Sequence, residues 1–227
     1  MIRSDFGRRA ILWSVAALFT AMLADLAEAL IDPISSGEGA DVVVGTTEHH
    51  GRTVLAAILL LASAAFLTPA VFGLARRLEH RGRGIGRAAM VLALLGTLGH
   101  AALGGVYLFW AAMPAQGGNN AELVAAIDRA NGAGSVAVLF PLLIAFPVSL
   151  VVFFVAMVRG RIAPLWVLVP ALAAPVAAIV GGSDAAATAT ALALLLVAAS
   201  ALAVRLLGEP RNQARPLHPS PATVHEA

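Results

Sequence analysis

The stretch GTLGHAALGG, residues 96–105, sets His100 in the middle of a long apolar run that carries no charge. An ionisable side chain at such a position ordinarily faces a helix-bundle interior or a water-filled cavity, where it pairs with another group or handles protons. Two readings stay open for it. In one, a neutral imidazole bonds a helix carbonyl or a threonine while Gly96, Gly99, Gly104 and Gly105 let a neighbouring helix approach closely. In the other, the imidazole transfers protons, binds a ligand or ligates haem. A bis-histidine haem site needs a second buried histidine, and no other apolar run contains one.

Carboxylates form a second group. LADLAEALIDP spaces Asp25, Glu28 and Asp32 at i, i+3 and i+7, which stacks them along one helical face that continues through Ser14, Ala17 and Ala21. Asp32 belongs at the edge of the run, and Asp25 lies about 10 Å inside it by helical rise. At that depth an isolated carboxylate takes up a proton or finds a partner, whereas a polar flank that begins early would send the acids out to water. Together, Asp25, Glu28 and His100 make a candidate polar path. A third group, TEHHGR, brings Glu48, His49 and His50 together, ligand types that suit zinc or copper. Adjacent histidines point about 100° apart on a helix, and Glu48 can instead pair with Arg52 at i+4 in a solvated loop. RGRGIGR, residues 81–87, contains G-x-G-x-G without the strand that a nucleotide site requires, and reads as a turn whose arginines meet anionic lipid.

These residues must be held by a membrane protein. The chain is 59% hydrophobic and 12% charged, against about 25% charged for an ordinary soluble domain, and its mean hydropathy is +0.87. Six runs approach the roughly 20 apolar residues that cross a bilayer as helix: 10–31, 53–75, 87–112, 134–158, 163–181 and 185–207. Strand alternation is absent, so the expectation is an all-α, six-helix transmembrane bundle over residues 10–207, arranged as three tandem hairpins. Residues 1–9 form a short N-terminal segment, and the proline-rich tail 208–227 reads as disordered. MIRSDFGRR, the apolar run behind it and AEA also read as a signal peptide. The length of that run and its acids favour a retained helix.

All 15 basic residues are arginine, and with the N-terminus inside only Arg52 and Arg129 fall outside. The positive-inside rule therefore places both termini in the cytoplasm of a bacterium, with the chain in its plasma membrane. A net charge of only +2 gives no reason to expect a nucleic-acid partner, and the lack of cysteine excludes disulfides and thiol chemistry. In the loop 113–133, Asn119 and Glu122 make a capping box ahead of Leu123, Val124 and Ile127, so a short surface helix is expected there. Ser183 and Asp184 read as the cap of the last helix, while Pro141 and Pro147 should bend the fourth run.

FLTPAVFGLARRL, ELVAAIDRANGAG and RGRIAPLWVLVPALAA carry a resemblance to small multi-span actinobacterial membrane proteins grouped as a domain of unknown function. The resemblance covers residues 10–207 and implies a six-span helical domain; it brings no activity or functional residue with it. Three function classes remain. One is a small-solute or proton-coupled carrier using Asp25, Glu28 and His100. Another is a non-catalytic interaction, sensor or assembly subunit that packs with other membrane proteins or with copies of itself. The third is a metal or haem protein. No nucleophile with a positioned base and no phosphate-binding loop points to an enzyme.

Overall fold

The computed structural model describes residues 2–34, 38–78, 82–113, 120–132, 136–181 and 185–208. Among them are eight α-helices: α1 (Ile2–Ile31), α2 (Gly39–Glu48), α3 (His50–Ala75), α4 (Arg83–Ala112), α5 (Asn120–Ala130), α6 (Val136–Arg159), α7 (Leu168–Gly181) and α8 (Ala185–Gly208). Asn119, the Ser183–Asp184 cap, Arg81 and the tail beyond residue 208 lie outside the described residues.

The fold is all-α, and the long helices coincide with the apolar runs. Five of them are long and apolar enough to cross a membrane: Arg9–Ile31, His50–Ala75, Arg83–Ala112, Ala137–Arg159 and Ala186–Gly208. The fifth run, 163–181, falls short of the length expected of it, because its apolar helical part is Leu165–Val180. At 1.5 Å per residue that is about 24 Å, less than a hydrocarbon core of about 30 Å. The turn leaving α6 uses up the missing residues. There Ile162 N–H donates back to the Met157 carbonyl at 2.9 Å, Arg161 takes a left-handed conformation at φ 60°, and Pro164 opens a 3-10 turn, Leu165–Val167.

The long helices close a ring. In chain order α1 packs on α3, α3 on α4, α4 on α6, α6 on α7, α7 on α8, and α8 returns to α1. Neighbours run antiparallel where side chains fix the register: Thr68 meets Thr97 at 2.7 Å across α3 and α4. The α4–α6 crossing is close. A Cβ on Gly96 would stand 2.6 Å from Phe146 Cα, and one on Gly99 would stand 2.7 Å from the Leu142 carbonyl carbon. Only hydrogen fits there, so the glycines let the two backbones touch.

Two cores result. The larger fills the half of the ring that contains the start of α1 and the ends of α6 and α8, with Leu18, Met22, Leu74, Phe153, Phe154 and Leu202 buried together. The smaller joins Ile34, Val42, Val43, Ala56, Ala57, Tyr107 and Ile127 at the other end, beneath α2 and α5. Helix α5 is the short surface helix expected before α6. Helix α2 lies in the connection between the first two apolar runs. GADVVVGTTE is rich in β-branched residues and glycine and has poor intrinsic helix propensity. Tertiary contacts hold it instead: Val42 and Val43 are buried, and Gly39 N–H donates to the Asp128 carboxylate on α5 at 2.7 Å, an N-terminal cap supplied from another helix.

Candidate functional site

Asp25 lies near the end of α1, where its face turns inward toward the ring. The residue is only 4% exposed, so its carboxylate is inside the bundle and does not reach out to water. On α3, Ser63 stands next to this carboxyl, yet both Asp25 oxygens and the Ser63 hydroxyl lack a partner in hydrogen-bonding geometry. The nearest complementary group is on α4: His100 Nε2 is 3.9 Å from Asp25 Oδ1, beyond a direct hydrogen bond. Helices α1 and α4 sit on either side of α3, and the two side chains meet over it.

The imidazole is oriented on two sides. Its Nδ1 is 3.2 Å from the Gly96 carbonyl one turn back. A carbonyl oxygen only accepts, so this bond puts a ring hydrogen on Nδ1, and in the neutral imidazole Nε2 is the lone-pair nitrogen turned toward Asp25. The ring face stacks on Phe146 of α6, with centroids 4.0 Å apart and planes at 28°. The close α4–α6 crossing makes that stacking reachable, because Gly96 lies against the backbone of the same phenylalanine. One turn from His100, Thr97 donates to the Ala93 carbonyl at 2.8 Å and shares its hydroxyl with Thr68, extending the polar strip.

Asp25, Glu28 and His100 share the wall of one cavity of about 690 Å³. The rest of its lining is apolar apart from Thr188 and comes from α6, α7 and α8, including Ile144, Pro147, Ala174, Pro175 and Leu195. The carboxylates and imidazole therefore occupy one wall of an otherwise apolar chamber. Glu28, half-buried, is one turn closer to the end capped by α2 and α5. Beyond it, Asp32 leaves the helix and accepts from Tyr107 Oη at 2.6 Å and from Ile34 N–H at 3.0 Å. Burial pushes the Asp32 carboxyl up from its ordinary value, and the two hydrogen bonds and Arg52 pull against that rise.

The third group behaves differently. Glu48, His49 and His50 are all exposed at the α2–α3 junction, where His49 is the single non-helical residue. Arg52 does not pair with Glu48: its Nε donates to the Ile31 carbonyl at 3.0 Å and closes the end of α1. Among the described residues, no group of three or more histidine, aspartate or glutamate side chains is gathered as a metal site.

Sequence reasoning passed over Ser63, Thr68, Thr97, Tyr107 and the cavity wall from α6 to α8. Thr97 was within reach, standing three residues before His100 on the same face. Ser63 sits in an alanine-rich run with nothing local to mark it. No family model, no curated protein and no solved structure matches this chain.

Proposed function

We propose that this chain is a six-span membrane carrier that couples movement of a small solute to protons through Asp25, His100 and Glu28. One observation carries the reading: a buried carboxylate with no hydrogen-bond partner faces the lone-pair nitrogen of a histidine at 3.9 Å on the wall of a chamber large enough for a solute. Two acceptors facing one another attract only when a proton lies between them, so the pair is built to hold one. Removing that proton leaves an unpaired buried charge, which costs several kcal/mol unless another cation replaces it.

In this reading α7 is the sixth crossing, and its short apolar length is accommodated by local thinning of the bilayer. The arginine distribution supports a bacterial plasma-membrane location with both termini cytoplasmic and the α2–α5 cap outside. The chamber then lies in the outer half of the membrane and the larger apolar core seals the inner half, as an outward-facing carrier requires.

The test is proton movement into proteoliposomes loaded with a pH-sensitive dye and, in turn, with cationic, neutral or anionic organic solutes, under an imposed inward proton gradient. The wild type is expected to acidify the lumen faster than empty liposomes, and Asp25→Asn to abolish the difference. Equal rates for the wild type, Asp25→Asn and His100→Gln, all reconstituted to the same density, would count against the reading.

A further inference from the structure

We infer that the chamber binds a lipophilic organic monocation, which exchanges with a proton at Asp25; this rests on the proton-coupled reading above and names its solute class. Charge supplies the first argument. The cavity is lined by two carboxylates and one imidazole, and no arginine is among its lining residues. Asp25 is more than nine-tenths buried, both its oxygens lack partners, and it opens onto this space. A carboxylate in a low-dielectric wall needs a counter-charge, and the one group facing it here, His100, carries none while it is neutral.

Every element packed around Asp25 agrees. Along α1 the neighbouring titratable group is Glu28, α3 presents Ser63, and α4 presents His100. Helix α8 contributes Thr188, Ala191 and Leu195 to the chamber and no charge. An anion would meet two carboxylates and no cationic partner except a protonated His100. A neutral solute would leave the proton on Asp25 and exchange nothing for it.

Shape supplies the second argument. A cavity of about 690 Å³ falls within the roughly 300–1,000 Å³ of drug-sized pockets, and apolar walls with few polar groups suit a bulky hydrophobic body. Phe140 and Ile144 on α6 and Ile179 on α7 line the chamber and are also exposed at the bundle surface, Ile179 at 80%. The gap between α6 and α7 thus opens sideways, and in a membrane it faces lipid, where a lipophilic cation concentrates. Pro147 and Pro175 stand on its two sides. Neither has an N–H for the carbonyl four residues earlier, so both walls can bend without losing a helix bond. As the cation enters, the carboxyl O–H bond of Asp25 breaks, its proton leaves to water, and the carboxylate pairs with the cation, so the charge of the site is unchanged.

The experiment is saturable binding of radiolabelled tetraphenylphosphonium to the detergent-purified full chain, counted above protein-free micelles, with tetraphenylborate as the anionic control. The expected result is one cation per chain, with affinity rising up to tenfold per pH unit while protons compete one for one. Affinity should fall at least tenfold in Asp25→Asn and by less in Glu28→Gln, and tetraphenylborate should not bind saturably. No saturable cation binding, or binding unchanged in both variants, overturns the inference. Should the Asn variant fail to fold, loss in Glu28→Gln and dependence on pH decide it. Asp25-dependent proton flux without cation binding refutes the solute class and leaves proton coupling standing. Cation binding without flux does the reverse.

Discussion

Replacing Gly96 by alanine would drive a methyl group into the backbone of α6. The added carbon would lie 2.6 Å from both Phe146 N and Phe146 Cα, whereas carbon contacts settle at about 3.5–4.0 Å. No flexible side chain can yield there, so α4 and α6 must separate by about 1 Å. Overpacking of this kind costs about 1–3 kcal/mol, and the exchange also raises helix propensity by about 1 kcal/mol. Gly105→Ala isolates the packing cost. It carries the same propensity gain on the same helix, and a Cβ there meets nothing within 4 Å. Equilibrium unfolding of both variants in one detergent should place Gly96→Ala about 1–3 kcal/mol below Gly105→Ala. Moving α6 also lifts Phe146 from His100, so the Gly96 variant should lose tetraphenylphosphonium affinity while Gly105→Ala keeps it. Equal stability of the two variants would refute the close crossing and, with it, the placement of the imidazole.

Four further outcomes follow from single contacts. Tyr107→Phe removes the hydroxyl bonded to Asp32 at 2.6 Å and should cost about 1.5–3 kcal/mol in unfolding experiments, the range for a hydrogen bond to a charged group. Asp128→Ala strips the α2 cap from Gly39 and should cost about 0.5–2 kcal/mol, read as faster amide exchange in α2 with α6 to α8 unchanged. Arg161→Gly relieves a left-handed residue and should raise stability by about 1 kcal/mol. Asp32→Asn tests pH dependence. Burial raises this carboxyl above 3.8, so the folded chain holds the proton more tightly than the unfolded one. The resulting stability is fully present below the unfolded value and is lost as pH rises through the folded one. The stability of wild type relative to the variant should therefore fall as pH rises above 3.8 and through the raised folded-state value.

Much of the architecture was legible because bilayer length and apolar composition are local properties. The apolar runs around 10–31, 53–75, 87–112, 134–158 and 185–207 each coincide with a long helix, and ELVAAID is a helix in the loop where it was expected. Helix α2 was not legible. Its β-branched and glycine-rich residues argue locally against a helix, and its cap comes from Asp128, which is distant in sequence. The shortening of the fifth run also depends on the α6 exit turn, which a hydropathy window does not register.

The candidate site divides in the same way. Asp25, Glu28 and His100 stood out because ionisable groups in apolar runs are visible one helix at a time. Their common cavity depends on α1 and α4 flanking α3, and most of its lining comes from helices with no polar signal at all. The Glu48–Arg52 pairing failed for a related reason. Spacing along one helix favoured it, but the free carbonyl of Ile31 at the end of α1 lies within reach of the guanidinium.

The most direct measurement is the number of protons released when the cation binds. Saturating tetraphenylphosphonium is added to the purified chain in weakly buffered solution, and the pH change is read with an indicator dye. Exchange at Asp25 predicts a release approaching one proton per bound cation in the wild type and close to none in Asp25→Asn. Saturable binding that releases no proton at any pH would contradict a site built on a carboxylate that trades one positive charge for another.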